Sequence, residues 1–169
     1  MKKLVIIIPT LNEEKNIISL TKKILKIRKS FHILFIDDGS TDNTQEIIKN
    51  LNKKNKNIKY IFRKNKSGIG SAHKAAIKEC YKKKYDLILT MDADGTHKPI
   101  MIPMMLRAMK NLNADIVNTS RFVKKDSLKD WPFSRKIMTY TRHYLLKFMF
   151  NLDYDASGAF RLYNLKTIK

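Results

Sequence analysis

Residues 87–99 read LILTMDADGTHKP, an apolar run that leads directly into two carboxylates, Asp92 and Asp94. The apolar part predicts a buried β-strand over 85–92, and only Ala93 separates the two acidic side chains. Two carboxylates this close together are unexpected in a strongly basic chain. The chain carries 35 Lys and Arg against 15 Asp and Glu, a formal net charge of +20. We therefore interpret the aspartates as part of a site at the end of this strand.

Outward from this stretch, strand-like and helix-like segments alternate along the chain. Short apolar runs predict strands, and apolar residues at helical spacing predict helices. The predicted strands cover 3–9, 31–37, 58–63, 85–92 and 114–120, and the predicted helices cover 13–29, 42–54, 68–82 and 99–112. This order predicts an α/β fold, a mainly parallel sheet flanked by helices on both faces. Without a repeat or a linker, we expect residues 1–169 to form one domain.

Acidic and polar residues follow several of the predicted strands. Asp37 and Asp38 end the second strand, Asp92 and Asp94 end the fourth, and PTLNEE (9–14) ends the first. In open parallel sheets, ligands bind outside the carboxyl ends of the strands. The sequence therefore predicts an acidic and polar site at one edge of an otherwise basic protein.

The two aspartates of the fourth strand are candidate metal ligands. If the strand continues past Asp92, then Asp92 and Asp94 point the same way. Two like charges this close raise each other's pKa unless a cation lies between them. Mg²⁺ or Mn²⁺ with oxygen ligands meets that need and leaves positions for substrate phosphates. The alternative is an Asx-rich turn that leads into the helix after Pro99.

The second strand ends in a turn, DDGSTDNTQ (37–45), that admits two roles for its carboxylates. Asp42 and Gln45 have the spacing of a capping box for the following helix. Asp37 and Asp38 precede the glycine, where a cap is not needed. A carboxylate at that point suits hydrogen bonds to a ribose hydroxyl or to a base N–H.

Composition narrows the class of protein. One cysteine, Cys80, excludes an internal disulfide and fits a reducing cytosolic setting. No signal peptide and no run of 18 apolar residues is found. The charge fits nucleic acid, an anionic membrane surface or phosphorylated substrates, although a biased base composition would also enrich lysine. A basic nucleic-acid- or nucleotide-binding module is the alternative class, but we expect no nucleic acid, because no helix-turn-helix, RRM or zinc-finger pattern occurs.

Six ordered motifs carry a family resemblance. They are VIIIPTLNEEKNI (5–17), FIDDGSTDNT (35–44), SGIGSAHKAAI (67–77), LTMDADGTHKP (89–99), NTSRF (118–122) and ASGAFRLYN (156–164). Together they resemble family 2 glycosyltransferases, most of all the polyprenyl- or dolichyl-phosphate mannosyltransferase branch. The resemblance implies the Rossmann-like GT-A fold, a nucleotide-sugar donor and Mg²⁺ or Mn²⁺. Relatives in this branch usually continue beyond the position of Lys169.

The resemblance also implies roles for particular residues. The residues implied to line the nucleoside pocket are Pro9, Leu11, Glu13, Ile36 and Asp38. Asp92, Ala93 and Asp94 would hold the donor phosphates and the metal, with Thr96 at the position of a possible third metal ligand; whether His97, three residues past Asp94, reaches the site stays open. Thr96 stands where the branch often has Gln, and the turn after Asp38 also differs from the branch pattern. The donor sugar and base therefore stay open.

The implied reaction is inverting transfer of a sugar, in our interpretation mannose from GDP-mannose, to a polyprenyl or dolichyl phosphate. A UDP-sugar such as UDP-glucose or UDP-GlcNAc, with a lipid or glycan acceptor, is the alternative. Asp94, Arg121 and Arg135 are the candidate catalytic residues, and Arg121 and Arg161 are candidates for donor binding. A guanidinium matches phosphate geometry. Otherwise Arg135 is a surface charge at a helix start and Arg161 an ordinary strand residue.

Residues 133–150 predict an amphipathic helix that contacts a membrane interface. Apolar residues such as Leu145 and Phe148 share one side, and lysine and arginine supply the polar part. Such a helix lies with its apolar face in the acyl boundary and its cations at the headgroups. We expect a peripheral protein on the cytosolic face of an anionic membrane. The alternative is a helix packed on the sheet.

Overall fold

The computed structural model describes residues 2–63, 68–122, 131–152, 154–156 and 158–167. Helices and strands alternate through most of this length, as the sequence predicts. In chain order they are β1 (Leu4–Thr10), α1 (Glu14–Ile27), β2 (His32–Asp37), α2 (Thr44–Lys54), β3 (Ile58–Phe62), α3 (Ile69–Lys82), β4 (Leu87–Thr90), a 3-10 turn (Pro99–Met101), α4 (Ile102–Asn111), β5 (Ile116–Asn118), α5 (Phe133–Phe150) and β6 (Arg161–Asn164).

The strands form one sheet in the order β3-β2-β1-β4-β6-β5. β1 pairs in parallel with β2 and β4, and β2 with β3, whereas β4 and β6 are antiparallel. The predicted mainly parallel α/β sheet is therefore confirmed. Several details differ from the sequence prediction. The strand predicted over 114–120 is only Ile116–Asn118, and the helix predicted over 99–112 begins as a 3-10 turn. β6 was not predicted as a sheet strand, and β4 ends at Thr90 rather than at Asp92.

Alternate residues of the central strands point into separate cores on the two faces of the sheet. In β1, Ile6 and Ile8 join one core and Val5 and Ile7 the other. α1, α2 and α4 cover the first face, and α3 covers the second with small residues such as Ala76. Each fully buried isoleucine contributes about 1.5–3 kcal/mol. These two layers fix the sheet and, with it, the positions of the strand ends.

Cys80 faces the second core from α3 and is fully buried. Burial raises the pKa of its thiol to about 12, so the thiol stays protonated at neutral pH. A protonated, enclosed thiol is a poor nucleophile and a poor metal ligand. Cys80 therefore packs as a small apolar residue.

The chain divides into two compact units. The first comprises Met1–Val117 and Phe160–Lys169, and the second comprises Asn118–Ala159. The first unit contains both cores. α5 belongs to the second unit and has the predicted bounds of 133–150. Across the described residues, no helix combines the length and the apolarity needed to cross a membrane.

Candidate active site

A cavity of about 310 Å³ lies in the first unit at the carboxyl ends of β1, β2 and β4. The residues that line it come from the ends of these strands and from the start of α3. They are Pro9, Thr10, Leu11, Glu13, Ile36, Asp38, Gly68, Ala72, Asp92, Ala93 and Asp94. Every residue predicted for the nucleoside pocket is among them, and so are both predicted metal carboxylates. Thr96 is exposed and does not line the cavity.

A larger cavity of about 690 Å³ opens at the other end of the strands. It lies between the starts of β1, β2 and β4 and the end of α4. Its lining includes Lys2, Lys3 and Arg28 but no carboxylate. Because the acidic strand ends and the start of α3 all surround the smaller cavity, we assign the candidate active site there rather than to the larger space.

Asp37 organises the turn between β2 and α2. Its carboxylate is fully buried and accepts hydrogen bonds from the hydroxyls of Thr10 (3.0 Å) and Ser40, from the amides of Gly39 (3.2 Å) and Ser40 (2.9 Å), and from Gln45 Nε2 (2.6 Å). These partners satisfy the buried charge and lock the turn. Asp37 is therefore a structural residue, which leaves its neighbour Asp38 as the candidate for ligand binding.

The predicted capping box is wrong, because Gln45 bonds to Asp37 and not to the start of α2. Asp42 instead accepts from the amides of Thr44 (3.0 Å) and Glu14 (3.2 Å) and thereby joins two helix starts. Burial acts to raise the pKa of Asp42, but these hydrogen bonds outweigh it and lower the pKa. Asn12, in the left-handed region at φ 57°, adds a further link between the same loops by accepting from the Thr41 amide (2.9 Å).

Asp38 lines the cavity with a carboxylate that is only 8% exposed. Arg63, the residue after β3, places Nη1 3.1 Å from Asp38 Oδ1 and donates from Nη2 to the hydroxyl of Ser71 in α3. The contact with Asp38 is an ion pair without hydrogen-bond alignment, since both Asp38 Oδ1 and Arg63 Nη1 lack a hydrogen-bond partner. Asp38 is therefore an ion-paired carboxylate in the wall of the cavity.

The loop after β4 carries Asp92 and Asp94 into the same cavity. Since the strand ends at Thr90, a turn and not strand alternation brings the two carboxylates together. Asp94 Oδ1 accepts from the Thr96 amide at 2.9 Å, and Gly95 occupies a positive φ of 81° in the bend. The Asx-type turn considered from the sequence is therefore present, and it coexists with a place on the cavity wall.

His97 supports this loop through a hydrogen bond and a ring contact. Its Nδ1 accepts the backbone N–H of Asp92 at 2.9 Å, and its ring stacks on Phe160 with centroids 5.0 Å apart. A nitrogen that accepts this hydrogen bond carries no proton, so its 3.8 Å approach to Asp92 Oδ2 is not a charged pair. The Nδ1 lone pair is also engaged, which leaves His97 a supporting role for Asp92.

His73, near the start of α3, is electrostatically coupled to the loop after β4. Burial lowers the pKa of His73, while the charge of Asp92 acts in the opposite direction and only partly compensates. The imidazole is therefore neutral at pH 7. The acidic residues that line the cavity are Glu13, Asp38, Asp92 and Asp94.

The donor set of the loop after β4 fits a hard divalent cation. Within the described ranges, no three His, Cys, Asp or Glu side chains converge into a ready-made metal cage. Mg²⁺ and similar ions commonly bind to one or two carboxylates and complete their coordination with substrate phosphates and water. Asp92 and Asp94, which both line the cavity, are the candidate ligands of such an incomplete oxygen site.

The predicted arginines fall in two different places. Arg121 and Arg135 belong to the second unit, where both guanidinium groups lie beside Trp131, with Cζ 5.9 and 3.8 Å from the ring centroid. Arg121 is also paired with Asp155 at 2.7 Å. Arg161 begins β6 opposite Thr90, in the first unit, and is not part of the cavity lining.

Several residues of the cavity and of the surroundings of Arg121 were not predicted from the sequence. Thr10, Gly68 and Ala72 complete the cavity wall, and Arg63 pairs with Asp38. Arg63 could have been found, because it follows β3 just as Asp38 follows β2. Asp155 gave no signal, since nothing in the chain order pairs it with Arg121.

Comparison with known proteins identifies relatives for nearly the whole chain. The family model for glycosyl transferase family 2 matches residues 5–169. Polyprenol monophosphomannose synthase of Mycolicibacterium smegmatis is 28% identical over 166 residues, which cover 97% of this chain and 62% of that protein. Dolichol-phosphate mannosyltransferase of Pyrococcus furiosus is 36% identical over 139 residues, which cover 81% of this chain and 38% of that protein. The chain thus spans less than two thirds of either relative.

Among solved structures, the fold resembles that of glucosyl-3-phosphoglycerate synthase from Mycobacterium tuberculosis. The TM-score is 0.62 at 17% identity, and the match covers 98% of this chain and 56% of that one. That crystal structure is a complex with Mn²⁺, uridine diphosphate and phosphoglyceric acid. At this identity the likeness concerns the fold alone, and it agrees with the GT-A fold expected from the motifs.

Proposed function

The chain belongs to glycosyltransferase family 2, and on that basis we propose that it transfers mannose from GDP-mannose, with inversion, to a polyprenyl or dolichyl phosphate. The names of the two relatives support a mannosyl donor and a polyprenyl-type phosphate acceptor. The structure of the M. tuberculosis synthase, a complex that contains Mn²⁺ and uridine diphosphate, supports only the assignment of the fold.

One observation carries the proposal. A single cavity combines a buried carboxylate, Asp38, with the carboxylates of Asp92 and Asp94 on a neighbouring loop. Asp38 suits the N–H or O–H donors of a nucleoside, and the other two suit a cation that binds a diphosphate. A nucleotide sugar has both parts, whereas a simple phosphate or a neutral sugar has only one.

For the metal, we propose Mg²⁺ or Mn²⁺ held by Asp92 and Asp94, with Thr96 as a further candidate. A bound divalent ion would neutralise the charge that develops on the leaving diphosphate. Two residues of the loop after β4 support this proposed metal site. Asp94 is exposed and can reorient, while His97 holds the backbone of Asp92.

The proposed phosphate acceptor requires positively charged side chains that orient it rather than a general base. A phosphate monoester has a second pKa of about 6, so it is already charged at neutral pH and can act as the nucleophile once it is oriented. We propose Arg121 and Arg135 as its catalytic contacts, with Arg121 and Arg161 as candidates for the donor diphosphate. The guanidinium fork is suited to both phosphate groups.

α5 provides the proposed contact with an anionic membrane. Phe148 is 90% exposed and Leu145 53%, and Met138, Tyr144 and Phe150 are also exposed. Thr139 is the buried residue of this helix. A helix with this much exposed apolar surface and with interspersed Arg and Lys is suited to an interface with anionic lipid, and its location would be the cytosolic face. A lipid acceptor makes such contact necessary.

A panel of donors tests the proposed function. Thermal unfolding is followed with GDP-mannose, UDP-glucose and UDP-GlcNAc, each with Mn²⁺ and with EDTA. Because a ligand that binds only the folded state raises its stability, GDP-mannose with Mn²⁺ should give the largest increase in Tm. A larger increase with a UDP-sugar would replace the donor assignment, and no increase with any of them would contradict nucleotide-sugar binding.

A further inference from the structure

The larger cavity, of about 690 Å³, has no part in the proposed transfer and is lined only by residues of the first unit. The starts of β1, β2 and β4 and the end of α4 form it, so the length of the strands separates it from the active-site cavity. Small-molecule sites usually have volumes of about 300–1,000 Å³ and combine an apolar lining with a few polar groups. The larger cavity has this size, and its lining has both components.

The floor of the larger cavity is apolar and continuous with the first core. Leu4, Phe31, Leu87 and Met109 line it and are between 4% and 6% exposed, and Leu106 is half-buried against the same core. An aliphatic chain that covers such a surface gains about 0.8 kcal/mol for each CH₂ group that it buries. The floor therefore favours an aliphatic chain over a polar group.

Four positively charged side chains surround this floor. They are Lys2, Lys3, Arg28 and Lys110, all of them exposed, and none of the described residues that line the cavity is acidic. Within the part of the chain that the structure describes, none of the four side chains forms an ion pair with a carboxylate. The rim of the cavity therefore carries positive charge that an anion would complement.

The contacts of Lys3 show that its charge acts on the cavity wall. Its Nζ has neutral partners, the carbonyl of Lys83 at 3.2 Å and the ring of Tyr85 at 4.4 Å from the centroid. The nearby carboxylate of Asp86 accepts from the backbone amide of Lys3, at 2.7 Å. After burial, the charge of Lys3 is the largest cause that lowers the pKa of His32, which also lines the cavity.

The two cavities thus suit ligands of different chemistry. The active-site cavity is lined by carboxylates, which suit a metal ion and hydroxyl donors, whereas the larger cavity combines cations with an apolar floor. We propose that the larger cavity is a second binding site, for a single-chain amphiphile with an anionic head, an alkyl carboxylate or an alkyl phosphate. The chain covers the floor, and the head lies among the lysines and the arginine of the rim. This site goes beyond the proposed transfer and does not depend on it.

Titration calorimetry with decanoate, and in a separate arm with decyl phosphate, tests the site, each ligand below its critical micelle concentration. The wild type should bind at least one of the two, and the tighter one identifies the head. Lys2→Ala with Lys110→Ala should weaken that binding about tenfold or more, the size expected for lost contacts to charged groups. Both lysines are exposed, so the variant should keep the Tm and the GDP-mannose affinity of the wild type.

The matched control is Lys78→Ala with Lys82→Ala on α3. These lysines are also exposed, but they lie on the helix that covers the other face of the sheet and do not line the larger cavity. The control removes the same charge from the protein, and its affinity for the amphiphile should stay at the wild-type value. GDP-mannose binding is measured on the same samples, so failure of this site is distinguished from failure of donor binding.

Changes in the ligand separate the two parts of the site. Shortening decanoate to hexanoate should weaken binding roughly fourfold for each CH₂ removed, the factor that corresponds to about 0.8 kcal/mol. Decanol has the same chain without the charge and should bind about tenfold more weakly than the tighter anion. Three outcomes would overturn the proposal: no binding of either anion, equal affinities for decanol and the anions, and equal affinities of the Lys2/Lys110 and Lys78/Lys82 variants.

Discussion

Arg63 Nη1 lies 3.1 Å from Asp38 Oδ1 in the wall of the candidate active site. The two residues follow neighbouring strands, β3 and β2, and both side chains are largely buried. Burial of a charge is costly unless it is paired, and Arg63 provides the opposite charge beside Asp38. The ion pair therefore holds Asp38 in the wall of the cavity, where it is a candidate contact for a ligand.

Asp38→Ala should weaken the binding of the nucleotide-sugar donor. Loss of a hydrogen bond to a charged group costs about 1–3 kcal/mol, which is roughly tenfold to a hundredfold in Kd. Calorimetric titration with GDP-mannose in the presence of Mn²⁺ measures this change in Kd. Unchanged affinity in a folded variant would show that Asp38 only supports the turn.

Asp37→Asn should instead reduce the stability of the fold. An amide cannot accept from all the donors that converge on Asp37, so we expect the free energy of unfolding to fall by about 3 kcal/mol. Urea denaturation measures the change. Glu46→Gln on the exposed side of α2 is the control and should change stability by less than about 0.5 kcal/mol. Equal effects of the two substitutions would contradict the structural role of Asp37.

His32 should make the protein less stable in mild acid. Burial, followed by the charges of Lys3 and Lys59, lowers the pKa of this half-buried histidine below 6.5, although its Nδ1 lies 2.8 Å from the hydroxyl of Tyr85. The unfolded chain then binds the proton more readily, so stability falls as the pH drops below about 6.5.

The test is the Tm of His32→Gln and of the wild type between pH 7.5 and 5.5. The variant should lose less stability on acidification, although His73, whose pKa is also lowered, adds a change of the same sign. Identical pH dependence in the two proteins would show that His32 does not contribute.

Exposed apolar residues of α5 should mediate binding to anionic membranes. Wild-type protein should cosediment with phosphatidylserine-containing liposomes, and Leu145→Glu with Phe148→Glu should abolish this while GDP-mannose affinity is retained. Ile18→Glu with Leu112→Glu, also exposed apolar residues but in the first unit, is the matched control. A folded α5 variant that still binds liposomes would place the membrane contact elsewhere.

Much of this architecture is predictable from local patterns. The apolar runs and helical spacings identify most elements, because the central strands are buried on both faces and α1, α2 and α4 have clear buried stripes. The four-residue β6 lacks such a signal, and it enters the sheet antiparallel between β4 and β5. Strand alternation does not explain why Asp92 and Asp94 line one cavity, because β4 ends at Thr90 and the Asx turn follows at Asp94.

Several roles at the site cannot be predicted from the sequence, because they depend on contacts between residues that are far apart in the chain. Asp37 and Asp38 are adjacent and chemically identical, and only the fold shows that the first is enclosed by donors while the second lines the cavity. The pairing of Arg121 with Asp155 joins residues 34 positions apart. Such roles depend on tertiary packing, which hydrophobic periodicity does not encode.

Transfer of labelled mannose from GDP-mannose to farnesyl phosphate is the most direct test of the central proposal. With Mn²⁺, the wild-type protein should form a mannosyl phosphate lipid, and chelation of the metal should stop the reaction. Asp94→Asn should abolish transfer without loss of Tm, since Asp94 is exposed at a loop, while Asp115→Asn should keep wild-type activity. Undiminished turnover by Asp94→Asn, or by the wild type in EDTA, would contradict a metal-dependent mannosyltransferase built on this cavity.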